Sequence, residues 1–524
     1  MTNKAEFIVF AGTFVDTPKL NELRIRTKCC IGVDMRDGIR ESVNKGTIVF
    51  INENSGNYND PIKDALEYDS SLQKDKIEIV QAEVDDMGLD GLSLNEHVSQ
   101  SNNSTKFFFP GFVDTHCHAS QYPNAGIFGQ TTLLDWLNKY TFPLEKSLQD
   151  LTIANKVYTK VIQKTLSHGT TTIAYYATID LKSSILLAEL CSQYGQRAYI
   201  GKVCMDRNSP DYYTENVQDC MDSMDTFLKY LNRILQNNKI KPIVTPRFAP
   251  SCSNEMMQRL GDLSLKGDTN CAETSHKLHV QTHLSENKEE IEWVKRLFPE
   301  IATYTHVYDH FKLLHERTVL AHCIHLSEEE ADLIKLRKSG VSHCPISNSS
   351  ITSGECQVRW LLDKQIKVSL GTDLSGGYSP SILDTARQAL LVSRHVAMKI
   401  NSERDSLEKS SFVKHDKEHY KLSSKEVLYL ATMGGAQCLD MDCEIGSFAI
   451  GKQFDCQLID LNCKNSNVDI FNWQFVQNEE IHSEHFEENK EYEKFNDLID
   501  KWLFNGDDRN TRMVWIQGKK VVTK

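Results

Sequence analysis

Five polar side chains stand where a folded chain could assemble them into a metal centre. His116 and His118 are one residue apart at the end of an apolar run, so on a β-strand their imidazoles would share one face. His283, His322 and Asp373 each close or follow a later apolar run. Three imidazoles and one carboxylate, with water completing the shell, suit Zn²⁺ or a similar divalent ion. The set therefore predicts a metal site, provided that the fold brings its members together.

Each of these signals has a structural alternative when it is taken alone. A His-x-His pair is about as often structural as metal-binding, and a single His at a strand end is more often a hydrogen-bonded structural group. The chain has 18 histidines, and most should have no catalytic role. His306, His310 and His315 have helical spacing in a polar segment and are expected at the surface. His325 and His343 could lie beside the site or be structural.

Glu286 follows His283 by three residues. A carboxylate at that distance can reach a water bound to the metal and act as a proton shuttle without being a ligand. The alternative is an exposed acid at the start of a helix predicted from residue 288, where the helix dipole favours carboxylates. Glu289 and Glu290 fit this alternative well. Glu286 fits it less well, because it sits between a predicted ligand and the helix.

The elements that must position these residues follow a regular order from Phe107 onward. Short apolar runs alternate with amphipathic helical stretches, which is the pattern of βαβ units and a parallel sheet. The predicted strands span 107–114, 171–176, 198–204, 242–248, 279–283, 318–322, 341–345 and 367–372. The predicted helices include 153–166, 217–235, 288–297, 328–338 and 381–398. Eight strand–helix units indicate a (β/α)8 TIM barrel, closing near Leu439, with its active site at the C-terminal ends of the strands.

Both ends of the chain contribute shorter strands outside the barrel. They are predicted at 7–12, 48–51, 76–80, 444–448 and 455–459, with a hairpin within 513–522. The simplest arrangement pairs them in one small β-sandwich domain made from both chain ends. The predicted division is 1–106 for the N-terminal part of that domain, 107–443 for the catalytic barrel and 444–524 for its C-terminal part. The polar stretch 52–105 is interpreted as a surface insertion.

Composition limits the class of protein. The chain has 524 residues, of which 40% are hydrophobic and 25% charged, as in soluble globular proteins. The net charge is −13 and no Lys/Arg-rich run occurs, so no nucleic-acid partner is expected. No signal peptide and no run of about 18 apolar residues is seen, so no membrane span is expected. The 15 cysteines form no CxxC pair, which favours reduced thiols in a cytoplasmic protein.

At these residues the sequence resembles the amidohydrolase superfamily and, within it, the guanine deaminases. The superfamily motifs are PGFVDTHCHASQ (110–121), HLSE (283–286), AHCIHLSEEE (321–330), HCPISNSS (343–350) and SLGTDLSGG (369–377). The segments similar to guanine deaminases are HASQ (118–121), LDWLNKYTFP (134–143), PRFAP (246–250) and GDDRN (506–510). The resemblance runs from about residue 107 to the end. The segment 52–105 departs from it and looks like a lineage-specific insertion.

The resemblance implies a hydrolase that cleaves a C–N bond of a cyclic amidine, converting guanine to xanthine and ammonia in purine catabolism or salvage. It implies one Zn²⁺ per chain and a homodimer. The implied zinc ligands are His116, His118, His283 and Asp373. The implied catalytic residues are Glu286 as proton shuttle, His322 near the water that completes the zinc shell, and Asp373. The implied substrate contacts are Gln121, Arg247, Phe248, His322 and Asp373.

Several alternatives stay open at this stage. Arg247 could be a salt-bridged structural group rather than a substrate anchor, and Trp136 could be a core residue or a wall of the pocket. The chain could be another amidohydrolase that acts on a related aminated heterocycle, such as a pterin, a triazine or an adenosine derivative. A non-catalytic barrel scaffold is disfavoured, because such proteins typically lose metal ligands and this chain keeps them. The cytidine-deaminase class is disfavoured, because no PCxxC accompanies an HxE motif.

Overall fold

The chain divides into two compact units. The computed structural model describes residues 5–36, 45–53, 56, 58–82, 105–127, 133–266, 277–404, 416–471 and 484–524. One unit comprises residues 1–18, 22–111 and 447–524, and the other comprises 19–21 and 112–446. The unit boundaries lie at 111/112 and 446/447, a few residues beyond the positions predicted from the sequence.

The strands and helices have the following bounds. The strands are β1 (Phe7–Asp16), β2 (Arg24–Asp34), β3 (Thr47–Asn52), β4 (Ile77–Gln81), β5 (Lys106–Pro110), β6 (Phe112–His118), β7 (Thr170–Tyr176), β8 (Arg197–Gly201), β9 (Val203–Cys204), β10 (Ile240–Pro246), β11 (His279–Leu284), β12 (Thr318–His322), β13 (Gly340–His343), β14 (Lys367–Leu370), β15 (Cys456–Asp460), β16 (Thr511–Ile516) and β17 (Lys519–Thr523). The α-helices are α1 (Ile62–Tyr68), α2 (Leu133–Trp136), α3 (Phe142–Ser147), α4 (Leu151–Ser167), α5 (Leu181–Tyr194), α6 (Val217–Lys229), α7 (Asn254–Lys266), α8 (Lys288–Leu297), α9 (Tyr304–His310), α10 (Glu328–Arg337), α11 (Pro345–Ser350), α12 (Val358–Asp363), α13 (Ile382–Arg404), α14 (Ser424–Tyr429), α15 (Gly435–Cys438) and α16 (Glu484–Asn505). Short 3-10 or π turns lie at Lys74–Lys76, Ala119–Asn124, Leu137–Thr141, Asp211–Tyr213, Tyr230–Leu235, Ala249–Ser251, Lys417–Tyr420 and Leu430–Gly434.

Eight parallel strands form the barrel unit, in the order β6–β7–β8–β10–β11–β12–β13–β14, and the two-residue β9 also pairs with β10. Backbone hydrogen bonds just beyond β14 bring it back to β6. The amide of Asp373 donates to the carbonyl of His116 at 2.8 Å, and the amide of His118 donates to the carbonyl of Leu374 at 3.0 Å. The barrel is therefore joined at the C-terminal ends of its strands, where the predicted metal ligands lie.

Local sequence explains where the barrel elements begin. β7 has the sequence TTTIAYY, which is β-branched and aromatic, and it is buried throughout. α5 begins after Asp180, whose carboxylate accepts from the amide of Ser183. Two further helices begin in capping boxes, in which an N-terminal side chain and a Glu three residues later bond each other's backbone amides. These signals fix the helix starts, and thus the lengths of the loops that lead out of each strand.

The predicted (β/α)8 fold class is confirmed, but two of the predicted strands are divided, and most other element boundaries shift by a few residues. The predicted strand 318–322 coincides with β12, and the predicted helix 288–297 coincides with α8. The predicted strand 107–114 is instead divided at Gly111: β5 pairs with β15 in the other unit, whereas β6 pairs with β7. The predicted strand 198–204 is interrupted at Lys202. Hydrophobicity alone does not mark the division at Gly111, because both strands are buried.

The other unit contains one mixed sheet of eight strands drawn from both chain ends, as predicted for the small β domain. The order is β17–β16–β15–β5–β1–β2–β3, and β4 pairs in parallel with β1. Aromatic side chains fill one of its cores. Phe10 stacks on Phe454 with ring centroids 4.0 Å apart, and Phe14 stacks on Phe108 at 4.7 Å. The first of these contacts joins β1 to the C-terminal part of the chain, and the second joins β1 to β5.

Some predictions for this unit were wrong or incomplete. Residues 444–448 form turns rather than a strand, and the amide of Phe448 donates to the carboxylate of Asp16. β2, α1 and α16 were not predicted. Within the polar stretch 52–105 the predicted strand is confirmed as β4, while residues 83–104 lie outside the described residues. Among the helices in the described ranges, none has the length and apolar character that crossing a bilayer requires.

Candidate active site

The predicted metal ligands converge at the C-terminal ends of the barrel strands. His116 and His118 lie on β6, His283 lies on β11, and Asp373 follows β14. The Nε2 atoms of His118 and His283 are 3.2 Å apart. Oδ1 of Asp373 lies 3.1 Å from Nε2 of His116 and 3.4 Å from Nε2 of His118. His283 is partly buried and the others are buried, so the donor atoms form a compact and largely buried cluster.

The donor set fits a divalent cation. The donor atoms of His116, His118 and His283 lie within 4.8 Å of one another, as do those of His116, His322 and Asp373. Tetrahedral zinc with metal–nitrogen bonds of about 2.0–2.1 Å separates two ligand nitrogens by about 3.3 Å, close to the His118–His283 distance. Two lone pairs that face each other at this distance repel unless a cation or a proton lies between them. The arrangement therefore favours a bound metal ion.

Burial keeps these imidazoles in the neutral form that binds a metal. It is the main cause that lowers the pKa values of His116, His118 and His283 below their usual range. Burial also acts to raise the pKa of Asp373, but the neighbouring imidazoles, chiefly His116 and His322, outweigh it and hold this pKa below its usual range. The cluster thus offers three neutral nitrogen donors and a carboxylate, which are ligands that zinc accepts.

Hydrogen bonds on the far side of two rings fix their orientation. Nδ1 of His283 lies 2.6 Å from the backbone carbonyl of Arg247. A carbonyl only accepts, so Nδ1 carries the proton and the lone pair of Nε2 faces the cluster. Nδ1 of His322 lies 2.8 Å from Oδ1 of Asn348 in α11. Asn348 was not singled out from the sequence, although it belongs to the quoted motif 343–350.

Glu286 is buried beside His322 rather than exposed at the start of α8. Its Oε2 lies 3.4 Å from Nε2 of His322, and its Oε1 accepts from the hydroxyl of Ser353 at 3.0 Å. Burial is the main cause that raises the pKa of Glu286 to about 7, with Asp373 adding to it and His322 opposing it. A carboxyl group with this pKa can both gain and release a proton near neutral pH.

Glu290 was expected to be an exposed acid of the first turn of α8, and that expectation was wrong. Its side chain is buried. Its Oε2 accepts from the amide of Glu286 at 3.0 Å, and its Oε1 accepts from the hydroxyl of Tyr304 at 2.9 Å. Burial raises its pKa above the usual value. Glu290 therefore secures the backbone of the residue whose carboxyl group faces His322.

A pocket adjoins the cluster and encloses about 450 Å³, counted out to open solvent. Its walls include the predicted substrate contacts, and Trp136, for which the sequence left two roles open, is also a wall residue. The pocket is lined by His118, Gln121, Trp136, Leu137, Arg247, Phe248, His283, Glu286, Glu290, His322, Ser347, Ile351, Asp373 and Gly376.

Arg247 is salt-bridged and also lines this pocket, so its salt bridge does not exclude a contact with substrate. Its guanidinium is buried and pairs with Glu145 through two contacts, Nη1 to Oε2 at 2.7 Å and Nη2 to Oε1 at 3.2 Å. It also lies 5.1 Å from the ring centre of Phe142. A guanidinium has five N–H donors. The pair with Glu145 leaves donors available to a ligand.

Glu145 was missed by sequence reasoning. It lies on α3, two residues beyond the quoted segment 134–143, and a Glu on a short polar helix is usually exposed. Here it is fully buried, and no pattern in the sequence indicated its partners, because they lie far away along the chain.

The other histidines are distributed differently from expectation. His306 is partly buried and His310 is exposed. His315 is buried, so its predicted surface position was wrong, and burial lowers its pKa to about 4. His343 is buried too, and among the described residues neither of its ring nitrogens has a hydrogen-bond partner. Nε2 of His325 lies 2.9 Å from the backbone carbonyl of Ser353, and the hydroxyl of Ser353 donates to Glu286.

Comparisons with known proteins show the family to which the chain belongs. The amidohydrolase family matches residues 107–521. Guanine deaminase of Dictyostelium discoideum is 41% identical over 515 residues, covering 98% of each chain. Guanine deaminase of Homo sapiens is 42% identical over 424 residues, covering 80% of this chain and 83% of the human protein. The crystal structure of guanine deaminase from C. acetobutylicum with bound guanine in the active site has a TM-score of 0.74 and 31% identity, covering 98% of this chain and all of that one. The chain therefore belongs to the guanine deaminases of the amidohydrolase family.

Proposed function

We propose that this chain catalyses the hydrolytic deamination of guanine to xanthine and ammonia. One observation carries the proposal: a single pocket is lined by the His/Asp cluster, by Glu286 and by Arg247 with Gln121. The cluster can bind the metal ion that hydrolysis requires. Arg247 and Gln121 can form hydrogen bonds with the edge of a purine. The relatives named above are guanine deaminases, and one of them holds guanine in its active site.

The metal is proposed to be zinc, one ion per chain, with His116, His118, His283 and Asp373 as ligands. The nitrogen-rich donor set and the 3.2 Å spacing between His118 and His283 support this choice. When bound, the ion would lower the pKa of a coordinated water and so make hydroxide available near neutral pH.

Glu286 and His322 are proposed to move and stabilise charge during the reaction. Glu286 delivers a proton to N3 of guanine, which makes C2 electrophilic towards hydroxide. His322, held through Asn348, stabilises the charge that develops on the oxygen added at C2, together with Asp373. The C2–N bond then breaks: the amino group takes the proton of the added hydroxyl and leaves as ammonia, and that oxygen becomes the C2 carbonyl of xanthine.

Guanine recognition is proposed to depend on Arg247, Gln121 and Phe248. Guanine presents two acceptors, O6 and N7, on one edge. The donors of Arg247 that Glu145 does not use can pair with this edge. Gln121 offers a polar amide, and Phe248 contributes an aromatic wall beside Trp136. The remaining contacts, from His322 and Asp373, lie on the metal side of the same pocket.

The direct test combines elemental analysis of the purified protein with ammonia release from guanine. A panel containing a pterin, a triazine and adenosine runs in parallel. We expect about one zinc per chain and turnover of guanine far above that of the other compounds. Faster turnover of a panel member would assign the site to that heterocycle. A metal-containing protein that turns over none of these compounds would favour a non-catalytic barrel scaffold.

A cytoplasmic location and a homodimeric state complete the proposal. The location is supported by the cysteines of the described residues, which are mostly buried. The homodimer rests on the resemblance to the family. Imaging of a tagged full-length chain and light scattering of the purified enzyme test the two points separately, and a secreted or monomeric protein would contradict them.

A further inference from the structure

Glu145 is a fully buried carboxylate that accepts hydrogen bonds from four side chains. Arg247 contributes the two contacts given above. Nε2 of Gln121 donates to Oε1 at 3.0 Å, and the hydroxyl of Tyr213 donates to Oε2 at 2.8 Å. The hydroxyl of Ser120 lies 3.5 Å from Oε1. The carboxylate of Glu145 on α3 thus bonds both Gln121 and Arg247, the two polar residues proposed to bind the purine.

This contact decides which end of the Gln121 amide faces the pocket. A carboxylate can only accept, so the amide nitrogen must point to Glu145. Oε1 of Gln121 is buried and has no hydrogen-bond partner within the part of the chain that the structure describes. Gln121 also lines the pocket. A ligand therefore meets an acceptor at Gln121, whereas an amide released from Glu145 could present either end.

The same carboxylate also holds Arg247, which presents hydrogen-bond donors where Gln121 presents an acceptor. The bidentate pair holds the plane of the guanidinium and compensates its charge in a buried site. Arg247 can only donate, whatever its rotamer. With Glu145 in place, the pocket offers a fixed donor group and a fixed acceptor group at once.

We propose that Glu145 is a positioning residue that determines which purine the pocket accepts. The pattern it imposes matches a ring amide, with a carbonyl acceptor next to an N–H donor, as in O6 and N1–H of guanine. 2,6-Diaminopurine carries the same 2-amino group, but it has an amino donor at C6 and an acceptor at N1. Donor would then face donor at Arg247, and acceptor would face acceptor at Gln121. This inference rests on the proposed function and extends it to the residue that sets selectivity.

The test compares wild type with Glu145→Gln. The amide has nearly the shape of the carboxylate, but it cannot accept at both positions, so Gln121 and Arg247 lose their fixed arrangement. For each enzyme, KM and kcat for guanine and the competitive inhibition constant of 2,6-diaminopurine are measured, together with metal content. We expect the KM of guanine to rise by roughly 10- to 100-fold, because a buried charge-assisted hydrogen bond is lost. The constant for 2,6-diaminopurine should not rise, and metal content should not change.

Glu426→Gln is the matched control. Glu426 is also buried and also pairs with an arginine, with 2.6 Å between its Oε1 and Nη2 of Arg359, but it does not line this pocket. The same substitution there should leave the selectivity between the two purines unchanged. Glu145→Asp is a second variant that keeps the charge, and it should shift selectivity in the same direction by a smaller factor.

The outcomes separate a positioning role from a general structural one. If both constants rise by the same factor in Glu145→Gln, or if neither changes, the inference is overturned. If that variant does not fold, Glu145→Asp decides, and wild-type selectivity in Glu145→Asp overturns the inference. A wild-type enzyme that does not deaminate guanine would instead refute the proposed function, independently of any variant.

Discussion

The imidazole of His322 and the carboxyl group of Glu286 face each other, with 3.4 Å between Nε2 and Oε2. Burial raises the pKa of Glu286 to about 7. Burial also acts to lower the pKa of His322, but Glu286 and Asp373 outweigh it and raise this pKa above its usual value. Two adjacent ionisable groups that shift each other's pKa take up and release protons as a pair. The pair can therefore hold a proton beside the pocket and transfer it to a bound purine.

Replacing Glu286 by Gln should preserve the metal and remove most of the turnover. Gln keeps the size and the hydrogen-bonding capacity of the side chain but cannot exchange a proton. General acid–base groups contribute about 10²–10⁴-fold to rate, so kcat should fall by that order. Ammonia release and elemental analysis on the same preparation measure both quantities. Glu289 is an exposed carboxylate in the first turn of α8, so Glu289→Gln should keep wild-type turnover, and similar kcat values for the two variants would exclude Glu286 from proton transfer.

Removing one imidazole from the cluster should remove metal and activity together. His116 and His283 contribute a buried and a partly buried nitrogen, which lie within 4.8 Å of each other and of the donor nitrogen of His118. Substitution of either by Ala leaves an incomplete shell. His306→Ala, on the partly exposed helix α9, should retain both properties. Metal content measured after dialysis, alongside guanine turnover, provides the check, and a His283→Ala enzyme with full metal content would contradict the ligand assignment.

The sequence predicted the barrel and the location of its site because both depend on short-range patterns. Apolar runs mark the strands, and parallel strands in a barrel bring their C-terminal ends to one rim. Residues such as His322 and Asp373 could therefore be placed together from their positions after apolar runs. The same reasoning failed at Gly111, because the residues that adjoin it in β5 and in β6 are buried alike.

The burial of Glu145 and Glu290 could not be predicted, because it depends on partners in other elements of the fold. Arg247 pairs with Glu145 across 102 positions. Tyr304 bonds to Glu290 from a different helix. A carboxylate in a polar helical segment is usually exposed, so only the folded structure shows which acids have arginine and hydroxyl groups directed at them.

Arg247→Ala should raise KM for guanine strongly, lower kcat/KM and leave the zinc content normal. The substitution also leaves Glu145 buried without its cation, and uncompensated buried charges of this kind cost about 3–5 kcal/mol of stability. Arg247→Lys restores the charge but not the planar fork, so it should rescue stability better than kcat/KM. Steady-state kinetics and denaturant unfolding of both variants separate the two effects.

Wild type should deaminate guanine and leave adenine essentially untouched. Adenine places an amino donor where guanine has O6, so donor would face donor at Arg247. Its amine is on C6 rather than C2, which moves the reacting carbon away from the cluster. Sites with unpaired buried polar groups can reject an analogue by about 10⁴–10⁵-fold. Ammonia release from each base measures the ratio, and comparable kcat/KM values would mean that the substrate or its anchor has been misassigned.

Buried His315 should make the protein less stable in mild acid. Its pKa is lowered to about 4 in the folded chain, chiefly by burial, whereas an unfolded His titrates near about 6.5. Between these two values the unfolded state binds a proton that the folded state does not, so stability falls as the pH decreases through this window and is unaffected above it. From pH 7 to pH 5 the loss attributable to His315 should be on the order of 2 kcal/mol.

Denaturant unfolding of wild type and His315→Gln at pH 7 and pH 5 measures this contribution. The variant has no titrating group at the position, so its stability should fall by less between the two pH values, even if it starts lower at pH 7. His310→Gln serves as the control because His310 is exposed on α9, and its pH dependence should equal that of wild type. An equal loss of stability in His315→Gln and wild type would show that His315 is protonated in the folded chain at pH 5, contrary to its burial.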